Sequence, residues 1–286
     1  MEIRTDLALE KHEKLSGKDI NGVDFSEYSV GNIGISRIEV KNGEGAKALG
    51  KPEGIYITLE TGDFPDSSSL CGEGLYAVRD TLSPLVPQTG CVLIAGLGNM
   101  QITPDALGPK CASMIFSTRH IDAQTLSGLG LPELRPVCAV SPGVTGQTGL
   151  EASEIIAGIC RNVKPRAVIT VDALAAGSVK RLANTVQIST AGIEPGSGVG
   201  NSRRALNREN LGVPVIAVGV PTVVDAVSLA KDVFGKECGE NGDYSSYMVT
   251  PRNIDTVIDS AARFIALAVN CVLHPGLSEK ELLSLM

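Results

Sequence analysis

The sequence predicts an α/β protein, with a mostly parallel central sheet covered by helices on both faces and a small β-rich annex at the N-terminus. Three observations carry this. CVLIAGLG (91–98), AVITVDA (167–173) and VPVIAVGV (213–220) are continuous apolar runs of strand length, the pattern of parallel strands buried on both faces. Amphipathic segments of helical period separate and follow them, as crossovers between parallel strands require. Residues 1 to about 50 are instead polar and dotted with glycine (SGKDINGVDFSEYSVGNIG, KNGEGAKALG). They read as strands and loops of an annex, leaving 51–286 as a single α/β domain.

Taken in chain order, the first apolar strand runs into GLGNMQITPDALGP (96–109), a strand-to-helix turn leading into DALGPKCASMIF. Thr148-Gly-Leu-Glu151 reads as a capping box opening EASEIIAGICRNV, where Ile155, Ile156, Ile159, Cys160 and Val163 share one face. Lys164-Pro165 ends that helix. Thr250-Pro251 places proline in the first turn of a last long helix. Its stripe of Ile254, Val257, Ile258, Ala261 and Ile265 runs on toward His274-Pro275. The most apolar run there, FIALAVNCVL (264–273), is too short to span a bilayer.

With 286 residues and 43% hydrophobic composition, the chain has material for a sizeable core. Its 25 basic and 32 acidic residues, a net charge of −7, argue against a nucleic-acid-binding surface. The N-terminus lacks the features of a secretory signal, so a cytoplasmic protein without membrane contact is expected. The 7 cysteines are scattered and form no C-x-x-C pair, suggesting small buried hydrophobes rather than disulfides or a zinc site. There are 3 histidines and no H-E-x-x-H, G-x-S-x-G or P-loop, and GLGN lacks the third glycine of a dinucleotide fingerprint.

Ligands of open parallel sheets collect beyond the carboxyl ends of the strands, and Asp105, Asp172 and Asp225 all fall there. Asp105 and Asp172 meet if their strands are neighbours. Two carboxylates in one site share a proton, so one activates water while the other polarises a carbonyl, as amide hydrolysis requires. Each aspartate reads equally as a helix cap. A rival reading is a non-catalytic protein whose glycine-rich loops, GLGN, SPGVTGQTG (141–149) and GIEPGSGVGNSRR (192–204), hold a small anion. Another is a cysteine nucleophile paired with His120.

RTDLALE, LIAGLGNMQITPDALGP, SPGVTGQTGLE, ITVDALAAGSVKRLANTVQISTAGIEPGSGVGNSR and GVPTVVDA, in this order, closely resemble the germination protease of endospore-forming bacteria. The resemblance implies an atypical aspartic endopeptidase that degrades small acid-soluble spore proteins in germination. Its fold would be a three-layer αβα one similar to the hydrogenase-maturation endopeptidases. It makes Asp105 and Asp172 catalytic, with Asn99 and Asp225 as supporting residues, and no metal or other cofactor. Arg203, Arg204 and Arg208 become candidates for a substrate carboxylate, because the substrates have an acidic residue before the cut. The resemblance also implies a zymogen, with Glu2-Ile3 resembling the bond to be processed, a homotetramer, and a place in the forespore and spore core.

Overall fold

The computed structural model describes residues 5–15, 20–64, 70–122, 125, 128, 134–196, 204–235, 244 and 247–286. The strands are β1 (Val23–Val30), β2 (Ile33–Val40), β3 (Gly54–Glu60), β4 (Val92–Gly96), β5 (Val137–Val140), β6 (Ala167–Ala176), β7 (Thr185–Ser189), β8 (Val215–Asp225) and β9 (Met248–Val249). The helices are α1 (Ala8–Lys14), α2 (Gly43–Leu49), α3 (Glu73–Leu82), α4 (Leu107–Ser113), α5 (Thr145–Thr148), α6 (Ala152–Val163), α7 (Arg208–Leu211), α8 (Ala226–Phe234), α9 (Ile254–Leu273) and α10 (Glu279–Ser284).

Among the described residues the strands form one nine-stranded sheet in the order β1-β2-β3-β7-β8-β6-β4-β5, with β9 on β8. The three apolar runs are its parallel centre: β8, β6, β4 and β5 run parallel, whereas β7, β3, β2 and β1 continue the sheet antiparallel. Residues 23–40 are thus hydrogen-bonded into the same sheet through β3. The first fifty residues, expected as strands and loops, also carry α1 and α2. Both are short and polar outside, and they are held by one small cluster in which Ala8, Leu9 and Leu49 cover Ile38, Val40 and Tyr56.

Side-chain alternation along the strands divides the layers. Val92, Ile94, Ile169, Val171, Ile216 and Val218 face the large core under α3, α4, α9 and α10. On the opposite face Leu93, Val168 and Val215 pack under α6 and α7. By length and composition α9 could cross a membrane, but 67% of its apolar window is buried, as befits a core helix. It begins at Ile254 behind Asn253, so Pro251 lies before the first turn rather than in it. The capping box of α6 is also displaced: Glu151 and Glu154 form it, while the Thr148 hydroxyl accepts from Leu150 N.

Candidate active site

Between the small cluster under α6 and α7 and that under α1 and α2, the second face of the sheet is left uncovered, and a cavity of about 970 Å³ opens there. Strand register lays its floor in two rows, Tyr56–Ser189–Ala217 and Gln187–Gly219–Asp172, each crossing β-strands residue by residue. A register shift in β6 between Leu174 and Ala175 leaves Thr222 of β8 without an opposite residue. Thr222 lines the cavity with its Oγ1 buried and unpartnered.

Asp172 enters this cavity because β6 outruns β4. The last β4–β6 pair is Gly96–Val171, and Leu97 N then donates to Val171 O at 2.8 Å. Asp105 arrives from the turn after β4. Gly98, at φ +110°, lets the chain fold back so closely that a Cβ there would lie 2.1 Å from Asp105 O. The Asn99 N–H then donates to Asp105 Oδ2 at 2.7 Å. Asn99 therefore supports Asp105 through its backbone, while its side-chain Oδ1 accepts from Gln101 N and Gln147 Nε2. Behind them α4 rests directly on the strand backbones through Gly108, where a Cβ would meet Leu97 O at 2.2 Å and Val171 O at 2.3 Å.

Asp172 is only 5% exposed. Burial holds its carboxyl well above the ordinary carboxylate range; the charges of Asp105 and then Asp6 act the same way, and the Ala173 N–H on Oδ1 opposes them. A carboxyl raised in the folded state favours folding below its unfolded value and loses that contribution as pH rises through the folded one. Asparagine mimics the neutral acid and does not ionise. Asp172→Asn should therefore melt a few degrees above wild type near pH 8, with the difference fading toward about pH 4. Melting curves across that range test this, and a variant less stable than wild type at about pH 8 contradicts it.

Asp225 also lines the cavity, but its carboxylate caps α8, Oδ1 accepting from Ser228 N at 2.8 Å and Oδ2 from Ser228 Oγ at 2.6 Å. Arg204 and Arg208 are exposed and do not line the cavity, and Arg203, Glu2 and Ile3 lie outside the described residues. The cations that do line it, among the described residues, are Lys11 and Lys51. Burial brings the Lys51 ammonium down to about 8, although the Asp6 charge opposes this. No described cysteine lines the cavity; burial pushes the Cys111 and Cys138 thiols up to about 12 and Cys271 to about 11, away from the thiolate a nucleophile needs.

Sequence reasoning missed Asp6, Lys51 and Gln187. Asp6 belongs to RTDLALE, whose described polar side chains, Thr5, Asp6 and Glu10, reach the end of β6 or one another there. Glu10, almost wholly buried, accepts from the Thr5 hydroxyl, from Gly177 N at 2.6 Å and from Ser178 N at 3.1 Å. Arg181 closes the clamp with two bonds to Glu13, at 2.6 and 2.9 Å.

Sequence comparison supplies the class. Proteins named germination protease from Caldanaerobacter subterraneus subsp. tengcongensis (41% identical, 99% of this chain and 98% of that protein) and Clostridium tetani (37%, 99% and 98%) match nearly end to end. A third, from Priestia megaterium, is 41% identical over 85% of this chain and 69% of that protein. The family model for germination protease matches residues 2–244. The chain belongs to the germination protease family and is an endopeptidase with a role in germination. Among solved structures, the [NiFe] hydrogenase maturation protease HycI from Thermococcus kodakarensis KOD1 covers 66% of this chain and 98% of its own, at TM-score 0.38 and 18% identity, too weak a likeness to carry an argument.

Proposed function

We propose that this endopeptidase hydrolyses its peptide bond with a water held between Asp105 and Asp172, and that its substrates are small acid-soluble spore proteins. The observation that carries the reading is the arrival of both carboxylates, from neighbouring parallel strand ends, at one cavity where the Asp105 charge helps keep the proton on Asp172. Asp105, ionised, takes a proton from the water as its oxygen attacks the carbonyl carbon. Asp172, protonated, donates to the carbonyl oxygen. On collapse the C–N bond breaks, the proton held by Asp105 passes to the leaving nitrogen, and Asp172 recovers its own. Incubating the purified protein with a small acid-soluble spore protein and mapping the new termini by mass spectrometry tests the assignment; an intact substrate rejects it.

The acidic side chain before the cut is assigned to Lys51, in place of the exposed arginines. Its ammonium donates to Asp6 O at 2.7 Å, and an ammonium carries three donors, enough to take a carboxylate as well. Lys51→Gln should raise KM about tenfold or more for a substrate with Glu at that position while kcat changes less than threefold. A substrate carrying Gln there should be nearly indifferent to the change, and equal effects on both reject the assignment. The anion-binding alternative suits the site poorly, since Asp6, Asp105, Asp172, Glu194 and Asp225 all line it. We place the protein in the forespore and spore core as a homotetramer. The exposed edge strand β1, with Phe25, Tyr28 and Val30 open to solvent, supports assembly with further copies.

A further inference from the structure

The turn that carries Asp105 is held unevenly. At its base Leu97 N donates to Val171 O, and the close approach of Gly108 seats the following helix on the sheet. Its outer arm stands in solvent, with Met100 51% and Ile102 54% exposed. Among the described residues, the hydrogen bonds of residues 99–102 stay within the turn except for two, and Gln147 gives both. The Gln147 amide donates to Asn99 Oδ1 at 2.8 Å and to Gln101 Oε1 at 3.3 Å. The Asn99 amide is fixed in the orientation that accepts it, because Asn99 Oδ1 also takes the Gln101 N–H at 3.0 Å.

Gln147 lies in α5, on the connection from β5 to α6 that supplies Gly143 and Val144 to the same cavity. That connection is braced from behind. Thr145 Oγ1 donates to Glu151 Oε1 at 3.0 Å and Thr148 Oγ1 to Leu150 O at 3.1 Å, while Glu151 caps α6, whose Ala152 and Ile156 are buried in one cluster with Leu97. The Gln147 bonds therefore join two walls of the cavity, one anchored to α6 and one ending in the Asp105 carboxylate. Asn99 couples them: its side chain takes the Gln147 amide, and its backbone N–H is shared between Asp105 Oδ2 at 2.7 Å and Asp105 O at 3.1 Å.

We propose that Gln147 is a positioning residue for Asp105: it ties Asn99 to the loop before α6, so that the Asn99 N–H holds the Asp105 carboxylate at one angle to the water it activates. The inference deepens the Asp105–Asp172 reading and rests on it. A reacting group set off by about 1 Å loses on the order of a hundredfold in rate, so an arm slackened by a fraction of that should lose about tenfold. Gln147 is itself exposed, and its truncation leaves no cavity, so Tm should move by less than about 2 °C.

Kinetics and amide exchange together test this. Gln147→Ala should lower kcat on a small acid-soluble spore protein about tenfold, with KM within about threefold. Asn99→Ala removes the acceptor, so adding Gln147→Ala to it should cost less than about a further twofold. In hydrogen–deuterium exchange read by mass spectrometry, peptides spanning 99–105 should exchange about fivefold faster in Gln147→Ala than in wild type. A rise in KM with kcat intact assigns Gln147 to substrate contact instead, and additive losses or unchanged exchange show that it does not hold the turn; each of these overturns the proposal. Should Asp105→Asn stay active, the acid-pair reading falls, while the exchange rates still report whether Gln147 holds the turn.

Discussion

Asp105→Asn and Asp172→Asn are each expected to lower kcat/KM on a small acid-soluble spore protein by roughly four orders of magnitude, without unfolding the enzyme. The two substitutions fail for different reasons. Asparagine at 105 keeps an oxygen for the Asn99 N–H but takes no proton from water. At 172 it keeps an acceptor for the Ala173 N–H and can still donate to a carbonyl, but has no acidic proton to deliver. Because the pair acts as a unit, the double variant should be little worse than either single one. Cleavage followed by mass spectrometry decides the matter, and either single variant retaining more than about a tenth of wild-type activity ends the acid-pair mechanism.

Gly108→Ala is expected to be the most damaging of the conservative substitutions. The added carbon would lie 2.2 Å from Leu97 O, 2.3 Å from Val171 O and 2.5 Å from Leu97 N, all backbone atoms of the parallel centre, where no flexible group can yield. Helix α4 has to lift from the sheet, at about 3 kcal/mol or more, lowering Tm by roughly 6 °C or more. Asp105 is three residues upstream on the same turn, so activity should fall at least about a hundredfold even in the folded fraction. Gly146→Ala is the control: nothing lies within 4 Å of the new carbon there, and stability and activity should stay near wild type. A Gly108→Ala protein that melts within about 1 °C of wild type contradicts this account of how α4 docks.

The parallel centre was legible because strands buried on both faces have to be apolar throughout, and three such runs stand out even in a chain with 43% hydrophobic residues. Strand-end logic likewise located Asp105 and Asp172, since a parallel strand's carboxyl end is set by where its apolar run stops. The antiparallel half was harder to read. β1 is exposed along nearly its whole length, and α1 and α2 have little amphipathic signal, being held by a handful of contacts from distant strands. The capping box of α6 lies three residues beyond the Thr148–Glu151 match: Glu151 itself caps the helix with Glu154, a pair outside the usual Ser/Thr motif and therefore not marked in the sequence.

Composition and local pattern were enough to name the fold class, the order of the central strands' motifs and the aspartates at their ends, because burial and strand length impose themselves on neighbouring residues. Asp6, Lys51 and Gln187 carried no such local mark. Their place around the cavity comes from hydrogen bonds spanning most of the chain, such as Asp6 to Ala175 and Ala8 to Gln187. Only the folded sheet brings the N-terminal segment, β3, β7 and β6 together, and with them the charges that surround the site.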